Sequence, residues 1–159
     1  MDISLLDRVP TIAIGVAAKL LDVSVSSIRQ YESVGLILLH HESNGRRLLA
    51  HADIERLELL KQKITKNGFN FEGLRRILAL VPCWKIKSCT SEDSARCPAF
   101  QDSRNPCWLV SNNLCHEKGL VCRECAVYWE APKFIDNMKG FLKNTKYSID
   151  EMFNKYGIG

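Results

Sequence analysis

All seven cysteines of this 159-residue chain lie between Cys83 and Cys125, and the N-terminal half contains none. This distribution divides the chain into a cysteine-free part and a short cysteine-rich part. A chain of this length can build one ordinary domain or two small ones. The uneven placement of the thiols therefore favours two small units, each with a modest core.

Composition sets limits on the class of protein. The chain is 46% hydrophobic and 25% charged, which is typical of a globular protein. No apolar run approaches the roughly 20 residues that span a bilayer, and the N-terminus lacks the features of a signal peptide. We therefore expect a cytoplasmic protein without a membrane segment. The net charge of +4 is too small to indicate nucleic acid by itself, so a DNA-binding prediction must rest on the placement of a few arginines.

Residues 12–34 have the pattern of two short helices joined by a tight turn. The predicted inner face of the first helix is formed by Ile14, Ala17, Leu20 and Leu21. Ser24 is a predicted N-cap for the second helix, which runs through Val34, and Gly35 is its predicted left-handed stop. This outline is that of a helix-turn-helix motif.

The second helix has one apolar and one polar face. Val25, Ile28 and Tyr31 are predicted to face inward. Ser26, Arg29 and Gln30 fall on the opposite side, where their donors can enter a DNA major groove. Serine and arginine suit phosphates, and glutamine can read a base edge. The alternative is an ordinary solvated helix face.

A predicted hairpin follows the second helix. Residues 36–39 form an apolar run, residues 42–45 have the composition of a turn, and residues 46–49 return as a second strand. This hairpin would be a wing with Arg46 and Arg47 at its tip. Arginines there lie where a duplex backbone would pass if the preceding helix occupied the groove. The helix face and the wing thus support each other as a DNA-binding surface.

Two further amphipathic helices complete the N-terminal part. The first covers residues 52–66, ends at Asn67-Gly68, and has an inner face of Ile54, Leu57, Leu60 and Ile64. Asn70 is the predicted N-cap of the second helix, which stops before Pro82. Its apolar stripe of Phe71, Leu74, Ile77 and Leu78 is expected to pack in the core.

The segments TIAIGVAAKLLDVSVSSIRQYESVGLI and NGRRLLAHADIERLELLKQKI resemble the winged helix-turn-helix of MerR-family transcription regulators over about half of the chain. The Arg-Gln-Tyr-Glu tetrad and GFNFEGLRRILAL are similar to the heat-shock-repressor and glutamine-synthetase-repressor branches rather than to the mercury sensor. The resemblance implies a dimer that binds an inverted-repeat operator in double-stranded DNA, with RNA polymerase as a further candidate partner.

The resemblance also implies DNA-contacting residues. The positions that typically meet DNA in the family, mostly at its backbone, are Ser26, Arg29, Tyr31, Arg46 and Arg47. Ser27 and Gln30 are added because they share the exposed face of the predicted helix. The chain departs from the family pattern in three ways: it has Leu49 after the wing arginines, His40-His41 in place of the usual prolines, and Pro82 where a long dimerisation helix would continue. The mode of dimerisation is therefore left open by the sequence.

The cysteine-rich part has the spacing of a metal or redox site. In a reducing cytosol, clustered cysteines serve more often as metal ligands or redox groups than as structural disulfides. Cys122 and Cys125 form a Cys-x2-Cys pair that a tight turn can place on one metal. The full set of candidate ligands is Cys83, Cys89, Cys97, Cys107, Cys115, Cys122 and Cys125, with His116 as a possible addition. Thiolates suit either zinc or an iron–sulfur cluster, and spacing does not distinguish the two.

Two half-units of this part resemble each other. Cys83-Trp84 and Cys107-Trp108 each precede another cysteine by a short loop. Trp84 and Trp108, with Phe100 and Tyr128, are expected to supply an apolar shell that metal cross-links complete. The pattern resembles the two-CW domain, a small module found attached to sensor and signalling proteins.

These features predict a mainly α protein. Residues 1–81 form a winged helix-turn-helix domain with a small β-wing, residues 82–131 a small metal-stabilised cysteine-rich module, and residues 132–159 a tail of two amphipathic helices. The predicted apolar positions of the tail are Phe134, Met138, Phe141 and Leu142, followed by Ile149, Met152 and Phe153. The tail is expected either to pack on the module or to supply a dimer contact.

Three functional hypotheses follow. The first is a transcription regulator in which the cysteine-rich module binds a metal or an iron–sulfur cluster and senses redox state, a gas or a metal. The second keeps DNA binding but makes the cysteines a structural zinc knot for a partner protein. The third is a thiol oxidoreductase that uses Cys122 and Cys125, although no acid–base pair or phosphate loop accompanies them. A non-enzymatic role is therefore expected.

Overall fold

The computed structural model describes residues 5–143, and its side chains through residue 140. This part of the chain is mostly helical with one small antiparallel sheet, which confirms the predicted fold class. Within these residues no helix is long and apolar enough to cross a membrane.

The predicted helix-turn-helix motif is formed by two helices at the predicted positions. Helix α1 covers Ile14–Leu20 and helix α2 covers Val25–Ser33. The Ser24 hydroxyl accepts a hydrogen bond from the Ser27 backbone N–H at 3.0 Å, as expected of an N-cap. Gly35 has a φ of +76° and ends α2 in the left-handed conformation. Local capping chemistry thus fixes both ends of α2.

The wing belongs to a sheet of three short strands within the described residues. These are β1 at Ile12–Ala13, β2 at His40–His41 and β3 at Arg47–Leu49, in the order β1-β3-β2. The β2–β3 turn closes as predicted, with the Gly45 N–H donating to the Glu42 carbonyl at 2.9 Å. Strand β1 was not predicted, because two residues are too few to show an alternating pattern.

Two helices follow the wing and form the base of the core. Helix α3 covers His51–Asn67 and ends at Gly68 with φ +73°. Helix α4 covers Phe71–Ala79, and the Asn70 side chain accepts from the Gly73 N–H at 2.7 Å. Both predicted helices and both predicted cap residues are confirmed.

The cysteine-rich part consists of short helical turns. Its helices are α5 at Cys83–Ile86, α6 at Ser91–Arg96, α7 at Pro98–Gln101, α8 at Leu114–Glu117, α9 at Ala126–Asp136 and α10 at Met138–Lys143. Two 3-10 turns, Cys107–Leu109 and Cys122–Glu124, lie before α8 and α9 respectively. Most of these elements have four residues or fewer, so their stability must come from packing rather than from helix propensity.

The cysteine-rich part and the N-terminal part share one hydrophobic core. Fully buried residues of the first part, such as Ile28, Leu60 and Leu74, belong to the same cluster as Trp108 and Tyr128. Helix α9 packs against both α3 and α4. The two parts are therefore in direct contact over a buried surface.

Helix α9 continues through Pro132, where the sequence had suggested a boundary between module and tail. A proline inside a helix cannot donate a hydrogen bond to the carbonyl four residues earlier, here that of Tyr128. That carbonyl instead accepts from Arg56 Nη1 at 2.5 Å. An arginine of α3 thus replaces the bond that Pro132 cannot make.

Two local predictions were wrong. Leu20 is 64% exposed rather than buried, because α1 ends there and Leu21 takes the inner position with 4% exposure. Residues 36–39 do not form a strand, because the hairpin begins only at His40. In the tail, Phe134 is buried and Met138 packs on the core. The side chains of Phe141 and Leu142 are outside the described part, and so are Ile149, Met152 and Phe153 as a whole.

Candidate nucleic-acid interface and cysteine cavity

An open, basic concavity separates α2 from the wing. Arg29 of α2 lines it together with Arg46 and Arg47 of the wing and with Asn44 and Gly45 of the β2–β3 turn. The side chain of Arg29 is exposed and has no hydrogen-bond or ion-pair partner among the described residues. Arg46 is 65% exposed and has a 3.8 Å ion pair with Glu42. The guanidinium groups of Arg29 and Arg46 are therefore available to an anionic ligand from opposite sides of the concavity.

The other residues of α2 that were predicted to contact DNA differ in how exposed they are. Ser26 and Gln30 are exposed, beside Arg29 on the same helix. Ser27 is half-buried, and its hydroxyl lies 2.8 Å from that of Ser24. The structure therefore places Ser26, Arg29 and Gln30 on one solvent-facing surface, as predicted from the helical period.

Tyr31 occupies a different environment. Its side chain is 8% exposed and its ring meets that of Phe71 edge-on at 5.0 Å. Burial also raises the pKa of its phenol, so the hydroxyl is neutral. The ring of Tyr31 thus anchors α2 to α4, whereas its neighbours on α2 face solvent.

Arg47 connects the wing to α2. Its Nε donates to Glu32 Oε2 at 2.7 Å, and the other oxygen of Glu32 lies 2.5 Å from His41 Nε2. Burial alone would raise the pKa of Glu32, but the hydrogen bonds from His41 and Arg47 outweigh it and lower this pKa. The carboxylate is therefore ionised at neutral pH and ties both strands of the wing to α2. Sequence reasoning missed Glu32, which sits within the Arg-Gln-Tyr-Glu tetrad.

All seven predicted thiols line one cavity in the cysteine-rich part. They are Cys83, Cys89, Cys97, Cys107, Cys115, Cys122 and Cys125. The cavity has a volume of about 50 Å³, several times the 10–15 Å³ that one water requires. All seven are free thiols; Cys89 is exposed and the other six are partly buried. The fold therefore brings together cysteines that are far apart in sequence.

The shell of this cavity is aromatic, as predicted. Trp84 packs edge-on against Phe100 at 4.9 Å, and Trp108 against Tyr128 at 5.3 Å. Trp108 and Tyr128 are buried, whereas Phe100 is 37% exposed. The two Cys-Trp half-units thus place their indoles in two separate aromatic pairs of the same cavity wall.

The thiols influence one another's protonation. The hydrogen bond to Cys83, followed by burial, raises the pKa of Cys107 far above its ordinary value. Burial, with the neighbouring thiols Cys125 and Cys115, raises the pKa of Cys122 to about 11. Without a cation these groups stay protonated at neutral pH, so binding of a metal would release protons.

The chemistry of this donor set fits a thiophilic metal or an iron–sulfur cluster. Among residues 5–143, no three His, Cys, Asp or Glu side chains already stand close enough to hold one metal ion. The thiols instead surround the cavity. His116, the possible additional ligand, is exposed, and its Nε2 lies 3.1 Å from Cys122 Sγ.

A buried ion pair joins the two parts of the molecule and was not predicted. Arg123 donates to both carboxylate oxygens of Asp53, at 3.1 and 2.8 Å. The Asp53 side chain is fully buried and also accepts from the Ala50 N–H at 2.7 Å. The partners are separated by 70 positions, and no local pattern in the sequence signals such a pair.

The fold and the basic concavity define a winged helix-turn-helix domain. Residues 12–80 match the family model described as MerR HTH family regulatory protein. They are therefore a MerR-family helix-turn-helix domain, which confirms the resemblance for this part of the chain.

A curated relative is consistent with this assignment. The chain is 32% identical over 76 residues to a protein named heat shock protein HspR, from Streptomyces coelicolor. The matched region covers 48% of this chain and 50% of that protein. The chain thus spans half the length of this relative, and the cysteine-rich part gains no support from the comparison.

Proposed function

We propose that this protein is a transcription regulator that binds double-stranded DNA through α2 and the wing. The observation that carries the proposal is the concavity in which Arg29 faces Arg46 and Arg47. With α2 in a major groove, Ser26, Arg29 and Gln30 point toward the duplex and Arg46 meets the adjacent backbone. Arg47, paired with Glu32, holds the wing at the required distance from α2.

Replacement of Arg29 by alanine is expected to weaken DNA binding by about 1–3 kcal/mol. Arg29 is exposed and lines the concavity, so its loss removes a contact without disturbing the core. A binding duplex is first selected from a random-sequence pool with the full chain. Fluorescence anisotropy on that duplex, at several salt concentrations, then gives the affinity of each variant.

Arg96→Ala is the matched control for this experiment. Arg96 lies on α6 in the cysteine-rich part, is 61% exposed, and has a single long ion pair with Asp93. The Arg96→Ala substitution removes one positive charge, as Arg29→Ala does, but at a position away from the concavity. It should leave the affinity for DNA unchanged. Equal affinities of Arg29→Ala and the wild-type chain would contradict the proposed placement of α2.

The proposal includes a dimer and an inverted-repeat operator. A two-fold dimer presents two copies of α2, and a palindromic site mirrors that symmetry. Selected duplexes should therefore contain two related half-sites. The proposal also includes a cytoplasmic location, which gives access to DNA. It further includes contact with RNA polymerase, through which transcription would be regulated.

The cysteine cavity is proposed to hold an iron–sulfur cluster or zinc and to sense a change in redox state, gas or metal. Seven thiols around one cavity support the binding of a thiophilic group. Such a group would bind to the cavity thiols and supply redox or ligand-exchange chemistry. A structural zinc knot for partner binding is the second candidate, supported by the same donor set.

Substitution of Cys107 or Cys122 by serine is expected to abolish or greatly reduce metal content. Both thiols are partly buried and line the cavity beside its other cysteines, so each would share in holding a cation. Cys89→Ser is the comparison, because Cys89 is the exposed member of the set and should have the smallest effect. Metal analysis of protein purified without oxygen provides the measurement. Full metal content in Cys107→Ser or Cys122→Ser would remove that residue from the site.

A further inference from the structure

Residues 35–38 connect α2 to the wing and are held by side chains of the cysteine-rich part. Leu36 and Ile37 are fully buried, and this segment forms no sheet pairs. Buried backbone groups need hydrogen-bond partners. The Leu36 N–H donates to the Tyr31 carbonyl at 3.0 Å, and the Leu36 carbonyl accepts from Arg56 Nε of α3 at 2.9 Å. The partners of the Gly35 carbonyl and of the Leu38 backbone come from the cysteine-rich part. The shape of this connection determines where the wing lies relative to α2.

Three side chains of the cysteine-rich part bind the backbone of this connection. Trp108 Nε1 donates to the Gly35 carbonyl at 2.9 Å. The Leu38 N–H donates to the Tyr128 hydroxyl at 2.8 Å, and Arg123 Nη1 donates to the Leu38 carbonyl. We refer to Trp108, Arg123 and Tyr128 as the clasp.

Each clasp residue lies beside a cysteine of the cavity. Trp108 directly follows Cys107, and Arg123 directly follows Cys122. Tyr128 is in the first turn of α9, which begins after Cys125, and its ring and that of Trp108 line the cavity wall. A change at these thiols therefore acts on residues that already hold the connection between α2 and the wing.

We propose that the clasp residues are positioning residues of the DNA interface and couple the state of the cysteine cavity to the placement of the wing. The proposal rests on the proposed function, since it assumes both DNA binding and an occupied cavity. Its physical basis is linkage: if filling the cavity changes DNA affinity by some factor, DNA changes the affinity of the cavity for its occupant by the same factor. The clasp supplies the shared structural element that such coupling requires.

The test uses the full chain, the selected duplex and Zn²⁺ as the probe of the cavity. DNA affinity is measured for zinc-loaded and chelator-stripped protein in the wild type and in Tyr128→Phe and Trp108→Phe. Tyr128→Phe removes the acceptor for the Leu38 N–H but keeps the ring, and Trp108→Phe removes the donor to Gly35. Trp84→Phe is the matched control, because Trp84 also follows a cavity cysteine but packs against Phe100.

We expect a fivefold or larger difference in DNA affinity between the loaded and stripped wild-type chain. In both clasp variants this ratio should fall below about twofold with zinc content unchanged, whereas Trp84→Phe should keep the wild-type ratio. Hydrogen exchange at the Leu38 amide should differ between loaded and stripped wild-type protein and be fast in both states of Tyr128→Phe. A residue with only a structural role would not alter the ratio.

Results that contradict these expectations distinguish a failure of the clasp proposal from a failure of the proposed function. Wild-type ratios in Tyr128→Phe and Trp108→Phe would overturn the clasp while leaving DNA and metal binding intact. Equal DNA affinities of loaded and stripped wild-type protein would also overturn it. A wild-type chain that takes up no zinc would overturn zinc-linked coupling through the clasp and leave the DNA-binding proposal standing. A wild-type chain that binds no DNA would refute the proposed function, and the clasp with it.

Discussion

Replacing Asp53 with alanine is expected to lower the free energy of unfolding by about 3–5 kcal/mol, the cost of breaking a buried ion pair. Asp53 is fully buried and accepts hydrogen bonds from Arg123 and from the Ala50 N–H. Its removal leaves the guanidinium of Arg123, which is 15% exposed, without its carboxylate partner. The pair also joins the two parts of the molecule, so its loss should loosen both.

Asp93→Ala is the matched control for the Asp53 prediction. Asp93 pairs with Arg96 and Lys118 at 3.5 and 3.4 Å on the surface, and both basic side chains are more than half exposed. Exposed pairs of this kind contribute about 0–1 kcal/mol. Chemical denaturation of the two variants gives the comparison. A similar, small loss for both would mean that Asp53 and Arg123 are not a buried pair in solution.

Replacing Gly35 with alanine is expected to cost about 2–5 kcal/mol. The left-handed conformation at φ +76° disfavours an L side chain by about 1–2 kcal/mol. An added Cβ would also collide with the side chain of Leu109 in the cysteine-rich part, and overpacking typically costs about 1–3 kcal/mol. Gly35 is thus required both by its backbone and by the close approach of the two parts.

Gly45→Ala separates these two contributions. Gly45 has a similar φ of +81°, but a Cβ there meets no atom within 4 Å. It should therefore show the backbone cost without the collision. Leu109→Ala combined with Gly35→Ala should recover part of the loss, measured as a coupling energy in a double-mutant cycle. Equal costs at Gly35 and Gly45 would show that Leu109 does not press on Gly35.

Local chemistry made much of the winged helix-turn-helix domain predictable. Ser24 and Asn70 cap helices through their own side chains, and Gly35 and Gly68 end helices in the left-handed conformation. These signals act over three or four residues, so the sequence displays them directly. The exposed face of α2 followed from the helical period in the same way.

Contacts between distant residues were not predictable from the sequence. The ion pair of Asp53 with Arg123 and the hydrogen bonds of the clasp join positions at least 70 residues apart. Leu20 was misplaced because the periodic pattern does not show that α1 ends there. Pro132 suggested a boundary because the sequence does not reveal that Arg56 satisfies the carbonyl that the proline leaves free.

In the two candidate sites as well, local features were predictable from the sequence and contacts between distant residues were not. The helical period and the turn composition predicted residues that the structure brings to the basic concavity, because both signals are local. The convergence of seven cysteines on one cavity depends on several loops at once, and their spacing indicated a site without its geometry. The connection at residues 35–38 carried no chemical signal of its own, since its backbone rather than its side chains makes the contacts.

The most direct test of this account is the selection of duplexes from a random-sequence pool with the full chain, purified without oxygen, beside Arg29→Ala. The account predicts enrichment of an inverted repeat by the wild-type chain and weak or no enrichment by the variant. Absence of any enriched sequence with the wild-type chain, or equal enrichment by both proteins, would contradict the claim that α2 and the wing read DNA.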